Sequence, residues 1–329
     1  MDTVGNGRGR AGGRLVVEAW SPDYGSPLED TPSGPGAEPA PVDVNVEVPA
    51  RAWEPRLPNC EAAPTVAFVD GVRRVDANLV WTGPDGRFHA GMAASVAAGV
   101  VCCTCRPPTP ARIVSIEVDR VLLLPVPVGD LATGAATWRQ QPLHTDRDDP
   151  GSLSIELQTV MAELEVAVAG NAANHAAAAG STLAMVIIDG PIRRREHIEH
   201  AVGHVKTHHQ QYLPPELAPI VGQLRAGERT PIFAIEGPFP RLSWYLRLPG
   251  PATHAWAGVV RHEIALTAPA TATAMADLAA ATVVRFASRP ARDPRAPQNL
   301  TPISGLESRL RHRLGDANLL YRSLRRALG

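Results

Sequence analysis

Strand-like apolar runs fill the chain from Thr65 to Pro127. TVAFVDG is a short run of β-formers ending in Asp-Gly, VRRVDANLVW follows with alternating character, GPDG supplies a turn, and RFHAGMAASVAAGVVCC is a further apolar run. Such runs, bounded by Gly, Asp and Pro, predict a three-stranded antiparallel meander. RIVSIEVDRVLLLPVP adds one more strand or a pair. The period then changes. Leu153, Leu157, Met161, Leu164 and Val168 fall on one helical face, which predicts a helix over 152–178. Ser152 or Asp149 is its expected N-cap, and Gly180 with Ser181 its stop. TLAMVIIDG reads as a buried strand, again ending in Asp-Gly, and AVGHVK as another. THHQQYLPPELAPIVGQL is partly helical, and PIFAIEG, LSWYLRL and WAGVVRHEIAL read as three more strands. ATAMADLAAATVVRFA is a helix, and the chain closes on a long basic helix or helix pair. The pattern carries no internal repeat. A meander, a helix, a strand and then mixed elements predict one α/β domain on a mixed sheet with flanking helices.

Composition limits the picture at the N-terminus first. Residues 1–45 are rich in Gly, Pro, Ser and Asp and lack the apolar surface for a core, so a flexible arm is expected there and the folded domain over 46–329. Met1 to Gly13 has no apolar stretch of the kind a secretory signal needs, and no apolar run reaches the ~20 residues of a spanning helix. A soluble, cytoplasmic protein is expected. The 329 residues, 44% of them hydrophobic, suffice for a sizeable core. The formal net charge of -1 gives no global argument for a nucleic-acid partner, so any basic surface is local. Four cysteines, with no CxxC pair, suggest reduced thiols buried in strands rather than a zinc or iron–sulfur site. Lys206 is the single lysine beside 31 arginines, 32 basic residues in all. In such a background it marks a position where a compact ammonium is wanted and a planar guanidinium does not serve.

The two Asp-Gly ends, at Asp70 and Asp189, are the main chemical signal. A carboxylate after a buried run emerges at a sheet edge, and the glycine beside it allows close approach to the backbone. Two such carboxylates on neighbouring strands suit Mg²⁺ or Mn²⁺, hard ions that take oxygen ligands. The ordinary alternative is a pair of turns. A third carboxylate is available on the helix, where Glu156, Glu163 and Glu165 stand; Glu163 and Glu165 flank its apolar stripe. Glu263 lies among apolar strand residues and is costly there unless paired or liganded. Arg73 and Arg74 follow Asp70, and Arg193 to Arg195 follow Asp189, which suits a polyanion. His204 and His208 have a helical ligand spacing, but no HExxH pattern accompanies them, so a zinc site is weakly supported. Arg309, Arg311, Arg313, Arg322, Arg325 and Arg326 make the last helices basic opposite a leucine face, for packing first and nucleic-acid or partner contact second.

Several of these pieces together resemble the NurA family of DNA-end-processing nucleases: FVDG at 68–71, IIDGPI at 187–192, AVGHVKTHHQQYLPPEL at 201–217, WYLRLPG at 244–250, WAGVVRHEI at 256–264, and the closing PQNL and LESRLRHRLGD. The resemblance runs from about residue 50 to the C-terminus. It implies an RNase H-like core, Mn²⁺ (or Mg²⁺) as cofactor, cleavage of single-stranded DNA and degradation of 5′ ends in double-strand-break repair, a homodimer, and a HerA-type hexameric ATPase as partner. It implies Asp70, Asp189 and Glu165 as metal ligands, with Glu163 as the alternative helix glutamate, and Lys206 as a further catalytic residue. A last active-site member near the C-terminus falls on Glu307 or His312. The function from another class is a catalytically silent adaptor, or single-strand-binding partner, of a DNA-translocating ATPase.

Overall fold

The structure, a computed structural model, describes residues 40–328 other than 85, 106–107, 144–149, 179, 181, 209 and 252. Most of the expected N-terminal arm, residues 1–39, lies outside the described residues, as does Asp149. In chain order the elements are β1 (Val42–Asp43), β2 (Thr65–Thr82), β3 (Phe88–Thr104), β4 (Arg112–Leu123), β5 (Leu131–Ala132) and β6 (Thr137–Gln141). Then come α1 (Pro150–Ala178), β7 (Met185–Asp189), β8 (Ala201–Val205) and α2 (Pro219–Gln223). The chain ends with β9 (Phe233–Ile235), β10 (Arg241–Arg247), β11 (Val259–Ala265), α3 (Pro269–Val283), α4 (Thr301–Arg313) and α5 (Ala317–Leu328). This is a mixed α/β architecture. Among the described residues, no helix is long and apolar enough to cross a membrane.

The chain separates into two compact units, each made of two chain segments. One comprises the chain up to Glu61 together with His204–Thr301; the other comprises Ala62–Gly203 with Pro302–Gly329.

The second unit carries the meander. Its strands run in the order β7-β2-β3-β4-β6-β5. β2, β3 and β4 are antiparallel neighbours, and β7 returns parallel to β2 after the α1 crossover. The meander differs from its expected form in one respect. TVAFVDG and VRRVDANLVW are a single strand of 18 residues, so Asp70-Gly71 is not a turn. Asp70 pairs with Gly99 and Gly71 with Ala98 across β3, and the ladder continues through Val75, where one register shift admits Asp76. Asp76 is buried and accepts hydrogen bonds from Ser95 Oγ (2.5 Å), Arg74 Nε (2.9 Å) and Trp138 Nε1 (3.1 Å), so a carboxylate inside the meander is fully partnered.

Helix α1 begins at Pro150, so Ser152 lies inside it rather than at its cap. Leu153, Leu157, Met161 and Val168 are buried as the period requires. Its C-terminal half packs with Ala67, Val69, Ala98, Val100, Val186 and Ile188, and its N-terminal half with Met92, Ala94, Val96 and Leu123. Helix α4 lies against the other face of this sheet: a Cβ added at Gly99 would meet Leu306 Cδ1 at 3.0 Å. Leu320 and Leu324 of α5 are buried with Trp138, Ala93 and Leu122. The six arginines of α4 and α5 remain exposed.

The first unit places β1, β9, β10 and β11 side by side in that order, all antiparallel. Its core gathers Phe233, Ile235, Tyr245, Val259, Val221 and Leu224. The buried Arg229 guanidinium is held between Glu47 and Asp277.

A carboxylate cluster and a lysine held by asparagine

Two strands set the cluster in the second unit. β2 and β7 pair in parallel with Val69 opposite Ile188, so the next residues, Asp70 and Asp189, stand side by side. Parallel neighbours lie about 4.8 Å apart. Val69 and Ile188 face α1. Alternation then turns Asp70 and Asp189 to the opposite face, the one covered by α4. Asp189 ends its strand as expected; Asp70 sits within a continuous one. Asp70 is 5% exposed, and its Oδ1 accepts the Gly71 amide at 2.8 Å.

Glu165 approaches β2 from the opposite, α1 side. It is 1% exposed. A Cβ at Gly71 would collide with its Oε1 and with Met161 Cγ, so the missing side chain at Gly71 is the gap through which Glu165 reaches the strand. The glycine beside Asp70 thus admits a third carboxylate rather than a turn. Gly190, beside Asp189, serves the backbone instead: its φ of +100° is one that L side chains rarely adopt. Gly203 of β8 admits the same β7–β8 loop, because a Cβ there would meet Ile192 N at 2.7 Å and Gly190 O at 2.9 Å.

Burial pushes the Glu165 carboxyl up to about 7, the neighbouring Arg195 guanidinium pulls it down, and the charge on Asp189 pushes it up again. Arg195 is buried and forms an ion pair with Glu165, Nε donating to Oε2 at 2.5 Å. Its Nη1 donates to the carbonyls of Arg193 (3.0 Å) and Pro191 (3.4 Å). Arg194, with φ of +68°, reverses the backbone so that Arg195 turns inward while Arg194 bonds Thr159 of α1. Of the arginines expected to meet a polyanion, Arg195 is therefore internal. Arg74 bonds Asp76 and the carbonyls of Leu314 and Gly315, and Arg73 bonds Ser154.

The helix glutamates thus separate. Glu165 is buried against Gly71 on the α1 face of β2, behind Asp70; Glu163 is exposed beside Arg194 and His197. Glu307 accepts from Arg311 one turn on, and His312 is exposed at the end of α4. As donors, two aspartates with a glutamate alongside suit a hard divalent ion. Among the described residues, no three His, Cys, Asp or Glu side chains converge on one ion as they stand. Asp70 and Asp189 stand side by side on neighbouring strands, and Glu165 is held on one oxygen by Arg195.

Lys206 belongs to the first unit, directly after β8. Its Nζ donates to Asn299 Oδ1 at 3.0 Å, and Asn299 Nδ2 donates to Asp293 Oδ2 at 2.7 Å, so its ammonium is oriented by a buried amide. Asn299 lies in the PQNL segment of the resemblance without being singled out, and Asp293 carried no sequence signal. The histidines have separate structural partners. His204 Nε2 donates to Gln298 O at 2.8 Å, which leaves its Nδ1 to accept from His262 Nε2 at 3.0 Å. His208 bonds Val259 O and packs on Tyr245 and Trp256. Burial foremost, with His204 and Arg261, holds His262 well below its ordinary 6.5. Glu263 is paired with Arg241 and Arg261 rather than liganded. Cys102, Cys103 and Cys105 form no disulfide and are buried, as expected, whereas Cys60 is exposed.

No known family model matches the chain, and no curated protein matches it.

Proposed function

We propose that the chain is a divalent-metal-dependent deoxyribonuclease with an RNase H-like core, acting on single-stranded DNA or DNA ends. The observation that carries this reading is the in-register placement of Asp70 and Asp189 on parallel strands, with Glu165 admitted at Gly71 from the opposite face. The order β4-β3-β2-β7, antiparallel and then parallel after one helix, also supports it. Asp70 and Asp189 would hold Mn²⁺ or Mg²⁺ on the α4 face, with Glu165 completing the charge from behind. Bound there, such an ion would supply Lewis acidity toward a scissile phosphate. The chain's own part is to fix a buried and a half-buried carboxylate side by side, where charge interactions are stronger than in open water. The resemblance assigns the offset of phosphate charge to Lys206, whose Nζ is already oriented by Asn299. A homodimer, a HerA-type ATPase partner and a place in double-strand-break repair follow from the same resemblance.

The test is digestion of labelled single-stranded DNA with Mn²⁺ and with EDTA. Cleavage should require Mn²⁺. Asp70→Asn should lower it by about 100-fold or more while the far-ultraviolet dichroism stays unchanged. Undiminished cleavage by Asp70→Asn would remove the assignment.

One observation favours a second reading. Arg195 already supplies a cation to Glu165, as it would in a silent adaptor that needs no metal. Stimulation of a DNA-translocating ATPase without any Mn²⁺-dependent cleavage would select the adaptor.

A further inference from the structure

We propose that helix α5 and the β5–β6 turn form a track for single-stranded DNA, which grips phosphates with Arg322, Arg325 and Arg326 and stacks bases on Tyr321. This rests on the deoxyribonuclease reading above. Residues 302–328 hold six arginines against two acids, Glu307 and Asp316, although the whole chain carries a formal net charge of -1. Both acids are engaged: Glu307 accepts from Arg311, and Asp316 Oδ1 accepts the Leu319 amide at the start of α5. Among the described residues Arg325 and Arg326 enter no ion pair, and Arg322 bonds only the Asn318 carbonyl, at 3.2 Å from Nε. All three are exposed. A row of exposed cations with no acid between them attracts a polyanion.

The shape selects an extended chain over a compact anion. α5 buries Leu320 and Leu324 and turns two flanks outward. On one flank Leu319, Arg322 and Arg326 follow at helical spacing and line a groove of about 680 Å³. Its opposite wall is the β5–β6 turn, where Ala132, Gly134 and Ala135 add neither charge nor bulk. Thr133 Oγ1 lies 3.1 Å from Ser323 Oγ, which ties the turn to the helix and fixes the groove. On the other flank Tyr321, 46% exposed, stands one turn before Arg325. Each flank thus sets an apolar side chain beside a cation, the pairing by which a single strand is held through its bases and phosphates at once. An acidic peptide offers charge but no bases, and leaves Tyr321 without a role. The track also lies on the same side of the sheet as Asp70. Ala93 packs under α5, and Gly99, six residues on along β3, pairs with Asp70 beneath Leu306. Their even spacing puts both on one face, about 20 Å apart. A strand lying on α5 can therefore run along that face toward Asp70 and Asp189.

The experiment follows binding of a fluorescent oligothymidylate to the full chain by anisotropy, in EDTA and again in Ca²⁺, over a series of salt concentrations. Wild type should bind, with an affinity that falls as salt rises. Arg322→Gln/Arg326→Gln should weaken binding by about 10-fold or more and flatten the logarithmic salt slope by about 1.4, the share of two phosphate contacts. Arg322→Lys/Arg326→Lys should keep both affinity and slope. Tyr321→Ala should lower affinity by about 5-fold or more at an unchanged slope. The substituted side chains are all exposed, so the dichroism should stay native. The track would be overturned by an unchanged affinity in the glutamine pair or in Tyr321→Ala, or by no binding to folded wild type. An equal loss in Arg51→Gln/Arg289→Gln, two exposed arginines of the first unit, would overturn it too, as would poly-glutamate bound as tightly as the oligonucleotide. Mn²⁺-dependent cleavage judges the nuclease reading separately. Binding on α5 without cleavage would keep the track and remove the nuclease; cleavage that ignores the arginine variants would do the reverse.

Discussion

Glu165 and His262 are buried titratable side chains whose proton affinities move in opposite directions. Glu165 titrates at about 7 in the fold against about 4.5 in an open chain, so the folded protein takes up its proton first as pH falls. Its contribution is fully present below about 4.5 and is lost as pH rises toward 7. His262 lies well below 6.5, so the unfolded chain takes its proton first. Its contribution is present above about 6.5 and is lost as pH falls from there toward the folded value, with a slope of about 1.4 kcal/mol per pH unit. The two oppose each other in wild type between about pH 5 and 6.5. Glu165→Gln should therefore leave a protein whose stability drops more steeply with acid, and His262→Gln one whose stability drops less. Urea melts at several pH values would check both; parallel profiles for the two variants would refute the pairing of slopes. Residues of this kind differ in how far a sequence reveals them. Asp70 and Asp189 were legible because each ends an unbroken run of β-formers. Arg195 was not, because three consecutive arginines look alike in sequence, and the left-handed backbone at Arg194 decides which one turns inward.

Strands and helices were legible where periodicity is strong, as in α1 and β7, and failed where a strand changes environment along its length. β2 is buried from Thr65 to Asp70 and half exposed beyond Arg73, so its apolar pattern breaks although its backbone ladder does not. The Asp-Gly within it then imitates a strand end. What keeps the strand going is pairing with β3, a long-range property that local propensity does not carry. The contact between β2 and α1 yields a prediction of its own. Gly71→Ala places a methyl group where Glu165 Oε1 and Met161 Cγ now lie. The strand backbone cannot move without breaking its ladder, so α1 or the glutamate must yield, at about 1–3 kcal/mol. Stability should fall by that amount in denaturant melts, and Mn²⁺ affinity should fall with it. Full stability together with full Mn²⁺ affinity would show that the gap at Gly71 is not needed.

The whole chain is organised as two units that each begin, stop and resume. The sequence foretold an α/β chain but not this division, because the apolar pattern continues through β8, where the boundary falls between Gly203 and His204. The last segment matters most to the unit that holds the carboxylates. Leu306 covers the face at Gly99, Leu320 and Leu324 bury against Trp138, and the carbonyl of Leu314 accepts from both Arg74 and Arg120. Removing residues 302–329 should expose that face and those arginines at once, giving a protein that binds a hydrophobic dye and aggregates; a soluble truncation with native dichroism would contradict this. A ribosome delivers the chain in order, so β2, β3 and β4 emerge well before the helices that cover one of their faces. Until α4 and α5 emerge, that face is open to other chains, and the nascent protein is a natural client for a chaperone that shields it until they arrive.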